Sequence, residues 1–149
     1  MLSASDGPDS SVAVWDCKTY ELIKKLGGHD RMVTAVRDLC DGQTVATSSL
    51  DSKIAIWKLT GSTDCLSILE NNSSGVISMD FNPEESALCS GSIDGWIHIW
   101  QIVRQDNKYL TTALRYTMNI GHAALEVSMS ACIPNQVIVL CSDYVLRLY

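Results

Sequence analysis

Three side-chain types that can together cleave a bond stand close in this sequence: the imidazole of His29, the hydroxyl of Ser49 and the carboxylate of Asp51. In such a trio the carboxylate orients the imidazole, and the imidazole takes the hydroxyl proton as the oxygen attacks. That hydrolytic reading weakens on inspection of the rest of the chain. Ser92 and Asp94 repeat the Ser-x-Asp spacing, and His122, Ser142 and Asp143 stand in a further copy. A unique active site is not copied along a chain, whereas a structural set is. Other chemistry is poorly represented. The six cysteines, at 17, 40, 65, 89, 132 and 141, form no C-x-x-C pair and no Cys–His zinc spacing. No Gly-rich phosphate loop is present, and Asp41-Gly42 and Asp94-Gly95 read as turns, not calcium loops. His98 sits in mid-strand, exposed or packed between neighbouring units, and not as a metal ligand. No cofactor is implied.

The copies share a position relative to an aromatic residue. Trp15, Trp57 and Trp100 close the alternating runs VAVW, IAIW and IHIW at intervals of 42 and 43 residues, and Leu146-Arg147-Leu148-Tyr149 has the same pattern. Asp9, Asp51, Asp94 and Asp143 each stand three residues before the first aliphatic of their run. Gly28-His29 and Gly121-His122 open two units, and Asn71-Asn72 stands where another Gly-His would be. His29 to Trp57 and Asn72 to Trp100 both span 28 residues. Self-similarity at such a period is the signature of a repeat architecture.

Alternation and turn clusters predict strands throughout: 33–36, 45–49, 54–57 and 65–69 form one set of four, and 76–81, 87–90, 97–100 and 109–116 the next. Cys17 to Leu26 reads as the fourth strand of the first unit, although Tyr-Glu-Leu-Ile-Lys-Lys could pass for a helix. Asp6-Gly7-Pro8 and Val103 to Leu110 read as insertions, the second as an exposed linker.

Composition sets further bounds. With 46% hydrophobic and 19% charged residues the chain is of globular type. A formal net charge of −6, with Lys24-Lys25 the only adjacent basic pair, argues against phosphate neutralisation, so no nucleic-acid partner is expected. The longest apolar run, Val137 to Cys141, is too short for a membrane span, and no membrane association is expected. Cysteines set among aliphatics suggest reduced thiols. With no signal-peptide pattern in MLSASDGPDS, they point to an intracellular, cytoplasmic or nuclear setting.

On these residues the chain resembles the WD-repeat β-propellers. The resemblance covers essentially the whole chain, in units of about 1–27, 28–70, 71–120 and 121–149. It implies an all-β fold of four-stranded antiparallel blades, about 3.5 of them, forming part of a larger propeller of the seven-blade type. Trp15-Asp16 is the one full Trp-Asp ending; Trp57-Lys58, Trp100-Gln101 and Tyr149 depart from it. The resemblance also implies a hydrogen-bonded network of His, hydroxyl, Asp and Trp in each blade. His29, Ser49, Asp51 and Trp57 fill all four positions; Ser92, Asp94 and Trp100 fill three, and His122, Ser142 and Asp143 lack the Trp. It implies a scaffold without catalytic activity of its own, binding protein or peptide partners through loops such as Asp30, Arg31, Met32, Ser73 and Ser74. The alternative is a substrate-recognition or regulatory module of a larger enzyme such as a ubiquitin ligase or a kinase. Open blade edges would also allow self-association.

Overall fold

A computed structural model describes residues 2–4, 10–61, 65–70, 72–105, 109–134 and 136–149. Asp9, Asn71 and the Asp6-Gly7-Pro8 insertion lie outside the described residues.

The described residues hold fourteen strands, all paired antiparallel, and no helix. The first sheet consists of β1 (Leu2–Ala4), β2 (Val12–Trp15) and β3 (Leu22–Leu26). The second runs β4 (Val33–Asp38), β5 (Thr44–Ser49), β6 (Ile54–Lys58) and β7 (Cys65–Leu69). The third runs β8 (Val76–Asn82), β9 (Ala87–Ser92), β10 (Trp96–Gln105) and β11 (Tyr109–Asn119). The fourth consists of β12 (Ala124–Met129), β13 (Val137–Cys141) and β14 (Leu146–Leu148). Each strand pairs with its neighbour in sequence, as consecutive hairpins do.

The ambiguous run at Cys17–Leu26 resolves as a turn and the strand β3. Its apolar residues fall too irregularly to give a helix a buried stripe, while its backbone pairs along β2. The expected exposed linker at Val103 to Leu110 is mostly strand. Val103 pairs with Thr111, Arg104 with Leu110 and Gln105 with Tyr109, so β10 and β11 extend as one long hairpin.

Hydrophobic alternation is satisfied between sheets. Val12, Val14 and Leu26 of the first sheet meet Val33, Val45, Ala55 and Trp57 of the second. Ile54, Ile56 and Leu69 meet Val76, Met79, Leu88 and Trp100. Ala87, Cys89, Ile97 and Ile99 meet Ala124, Val127, Val137 and Val139. The inner sheets are therefore apolar on both faces, which is why β5 and β9 are buried at every position. The first strands β4, β8 and β12 pack beside one another.

Polar ties cross the same seams. Thr34 Oγ1 donates to the Val76 carbonyl at 2.8 Å. On β8, three alternate side chains address the fourth sheet. Ser78 Oγ accepts from the Val127 N–H at 3.1 Å, Asp80 Oδ2 accepts from the Met129 N–H at 2.8 Å, and Asn82 Nδ2 donates to the Ser130 carbonyl at 3.1 Å. Gly91 has to be a glycine here, because a Cβ would lie 2.7 Å from Val127 Cγ1 and 2.8 Å from Ala124 Cβ.

Chain reversal separates two ends of the molecule. Turns carrying Asp51, Asp94 and Asp143 lie at the end where β4, β8 and β12 begin. The exposed Cys17, Cys40, Cys65 and Cys132 fall in turns or a strand start at the opposite end, while Cys89 and Cys141 are buried in the apolar seams.

Candidate functional site

The most complete polar set belongs to the second sheet. His29 comes from the segment leading into β4, Thr47 from β5, Asp51 from the β5–β6 turn and Trp57 from β6. A β-bulge between Ile56 and Trp57 recurs as Val14/Trp15 and Ile99/Trp100, re-aiming the indole at the same point of each sheet. Trp57 Nε1–H donates to Thr47 Oγ1 at 2.8 Å. His29 Nε2 lies 2.7 Å from the same hydroxyl, and His29 Nδ1 lies 2.9 Å from Asp51 Oδ2. Every atom is satisfied when Nδ1–H donates to the carboxylate and Nε2 accepts the Thr47 proton. Asp51 also accepts from the Asp30 and Lys53 N–H groups at 3.0 and 2.9 Å. Burial pushes the Asp51 carboxyl upward, but the Asp30 N–H, the His29 ring and the Lys53 N–H outweigh it and hold it below the ordinary carboxylate range.

The hydroxyl expectation needs correction. The bridging oxygen is Thr47, not Ser49. Residues 47 and 49 share a face of β5, so alternation alone does not choose between them. Depth does: Trp57 pairs with Val45, which makes Thr47 its diagonal neighbour. Ser49 closes the turn instead, donating to the Arg31 carbonyl at 3.0 Å and accepting from the Asp51 N–H at 3.1 Å. The third sheet follows suit: Trp100 Nε1–H donates to Ser90 at 3.4 Å, and Ser92 donates to Asp94. Asp94 also accepts from Ser73. His29 and Ser49 therefore form no base–nucleophile pair: His29 has both nitrogens engaged in a buried position and Ser49 is engaged elsewhere.

His122 departs from the expected network. It is 44% exposed and its Nε2 lies 3.6 Å from Asp143 Oδ2. Three residues separate His29 from Val33 at the start of β4, but only one separates His122 from Ala124. The shorter segment leaves the ring at the surface. Asp143 is gripped by Arg147 at 2.9 and 2.6 Å, which holds its carboxyl well below the usual range. In the third sheet, Asn72 is buried with neither amide atom hydrogen-bonded. His98 is also buried, its Nδ1 unpartnered, stacked on Trp100 with centroids 5.9 Å apart. Burial pushes the His98 imidazole down against the opposing pull of Asp94.

The turn end is where the expected contact residues fall. Asp30, Arg31, Met32 and Ser73 are exposed and Ser74 is half-buried. Ile93, Tyr144 and Val145, which the sequence did not single out, are exposed in the β9–β10 and β13–β14 turns of the same end. Their signal was positional: each stands within two residues of a turn Asp.

Comparison with known proteins adds the family. The pattern described as "WD domain, G-beta repeat" matches residues 20–58 and 63–101, more than half of the chain. The chain belongs to the WD-repeat family. Among WD-repeat relatives, the transcriptional corepressor LEUNIG_HOMOLOG of Arabidopsis thaliana is 31% identical over 102 residues, covering 68% of this chain and 13% of that protein. Periodic tryptophan protein 2 of the same plant is 31% identical over 94 residues, 63% of this chain and 10% of that protein. Pre-mRNA-processing factor 19 homolog 2, also from Arabidopsis thaliana, is 29% identical over 94 residues, 62% and 18%. The chain thus spans less than a fifth of each of these relatives. The repeated sheets are WD-repeat blades, and the WD-repeat class supports a role in protein–protein interaction at that general level.

Proposed function

We propose that this chain is a non-catalytic interaction scaffold whose Asp-turn end binds a protein or peptide partner. The observation that carries the reading is the combination of exposed and braced loop residues at that end. Arg31 and Met32 are exposed, yet the Arg31 carbonyl is held by Ser49 and the Met32 carbonyl accepts from the Leu50 N–H at 3.0 Å. Side chains presented on a backbone already fixed lose little entropy on binding. Ile93 and Tyr144 extend the surface, and Arg with Met and Tyr is the composition of interface cores. Asp30, Ser73 and Ser74 form its polar rim. The His29, Thr47, Asp51 and Trp57 set holds the second blade together and lies beneath the turn-end surface instead of forming part of it. The acidic balance speaks against nucleic acid, and relatives that include a transcriptional corepressor and a pre-mRNA-processing factor suit a nuclear or cytoplasmic setting.

The test is affinity capture with the intact gene product. Arg31→Glu and Met32→Asp together are expected to abolish capture of specific partners while circular dichroism stays native. Unchanged capture would overturn the choice of surface. A second reading, a recognition or regulatory module of a larger enzyme such as a ubiquitin ligase or kinase, is favoured by the short span of the relatives that the chain covers. A RING, F-box or kinase segment in the full reading frame would select it.

A further inference from the structure

The second and third sheets are offset by 43 residues, so their side chains compare one to one. Ala55, opposite Thr47, corresponds to His98, opposite Ser90. By the same step Lys53 corresponds to Trp96, Trp57 to Trp100 and His29 to Asn72.

In the second sheet these positions surround open space. A cleft of about 210 Å3 beside β7 is lined by His29, Lys53, Ala55, Trp57, Cys65 and Ile68. Gly28 sets its upper wall. A Cβ there would lie 3.0 Å from Trp57 Cη2, so the glycine lets the backbone pass close to the end of the indole, and Trp57 stays 5% exposed. Ile68 is 49% exposed on the rim. In the third sheet the chain places its own rings at the matching positions. His98 stacks on Trp100 with an interplanar angle of 22°, and Trp96 lies 6.2 Å beyond it. The alanine and lysine of one repeat are thus the imidazole and indole of the next.

A volume near 210 Å3 is below the ~300 Å3 at which pockets begin to hold drug-sized ligands. It suits one aromatic side chain. Such a ring would find the Trp57 indole on one side and Ile68 on the other, with the Lys53 ammonium at the rim for a cation–π contact. Aromatic residues seated in pockets of this kind are the usual anchors of protein interfaces. We propose that the cleft is a lateral docking site for one aromatic side chain carried by an extended segment of a partner protein. That side chain occupies the space that Trp96 and His98 fill one repeat later. The cleft adjoins the turn end through the Lys53–Asp30 ion pair at 3.4 Å, but its apolar wall of Ala55, Trp57 and Ile68 is not part of that surface.

N-acetyl-L-tryptophanamide is the probe, titrated into the 15N-labelled chain. The expected result is saturable movement of the Trp57 indole N–H and the Ala55 and Ile68 amides. Lys53→Trp with Ala55→His, which copies the third sheet into the second, is expected to weaken the apparent Kd by about tenfold or more, equivalent to ~1.4 kcal/mol. Ile68→Lys, at an exposed rim position, is expected to do the same without disturbing the core. It decides the matter alone if the double variant does not fold. Shifts that stay linear with probe concentration in the unaltered chain, or saturation unchanged in Ile68→Lys, would overturn the proposal. Arg31→Glu serves as the control, expected to leave the titration unaltered, so loss of the turn-end surface and loss of the cleft are told apart.

Discussion

Thr47 accepts from one buried ring and meets the nitrogen of another, so its hydroxyl is harder to replace than that of Ser49 two residues away. Thr47→Val keeps the shape and strands the Trp57 N–H and the His29 Nε2. The expected loss is about 1–3 kcal/mol by urea denaturation, with Ser49→Ala costing less because its partners lie nearer solvent. Trp57→Ala is expected to cost ~3–5 kcal/mol, as for other buried aromatics. Acid should act through groups whose folded pKa values are depressed, His98 and Asp51 among them. The buried His98 binds its proton less readily folded than unfolded, so its share of stability is full above the ordinary imidazole value of 6.5 and declines as pH falls below it. Asp51 contributes above the ordinary carboxylate value of 3.8 and loses its contribution as pH falls through its lower folded value. The urea midpoint is therefore expected to drop between pH 7.5 and 5.5, and His98→Phe should flatten that segment. At this scale the residue types of the blade network were legible in the sequence, but which hydroxyl bridges them was not. Thr47, Ser48 and Ser49 are adjacent, and only the pairing of Trp57 with Val45 decides among them.

Among the elements, the seam between β8 and β12 is tied differently from the one between β4 and β8. Where β8 offers Ser78, Asp80 and Asn82 to the backbone of the fourth sheet, the residues at the same step are Ala35 and Arg37 of β4 and Leu39 just after it. Arg37 reaches Asp80 instead, at 3.3 Å. Asp80→Ala is expected to release the amide of Met129 first in hydrogen exchange and to lower stability by about 2 kcal/mol, since hydrogen bonds to charged groups are worth about 1.5–3. Strand existence was legible because the VAVW-type runs alternate and recur at a fixed step. The extent of the β10–β11 hairpin was not. Its tip region is polar, and polarity there marks exposure without saying whether the backbone continues to pair. The position of His122 could have been read by counting, because its segment is two residues shorter than that of His29.

At the scale of the whole molecule, neighbouring sheets supply each other with an apolar face, and among the described residues the two terminal sheets each have one face without a neighbour. On the fourth sheet the uncovered face includes Leu146 and Leu148, 66% and 59% exposed, paired with the half-buried Leu140 and Ile138. Stacked repeats depend on such faces being covered. Self-association of the 149-residue chain is expected on that account, and Leu146→Lys with Leu148→Lys should shift light scattering toward monomer. Two copies would bring eight sheets together, although their strands number enough for seven four-stranded blades.

The division of cysteines between one end and the core gives the molecule a chemical orientation. Four thiols are exposed at the end away from the Asp turns, and two are buried, with burial pushing the Cys89 thiol far up and keeping it protonated. A maleimide should therefore react with four groups in the folded chain and reach the other two only on unfolding. Anchored to a sensor by those four, the protein would present Arg31, Met32 and Tyr144 outward, so that a partner's access could be measured on one end alone.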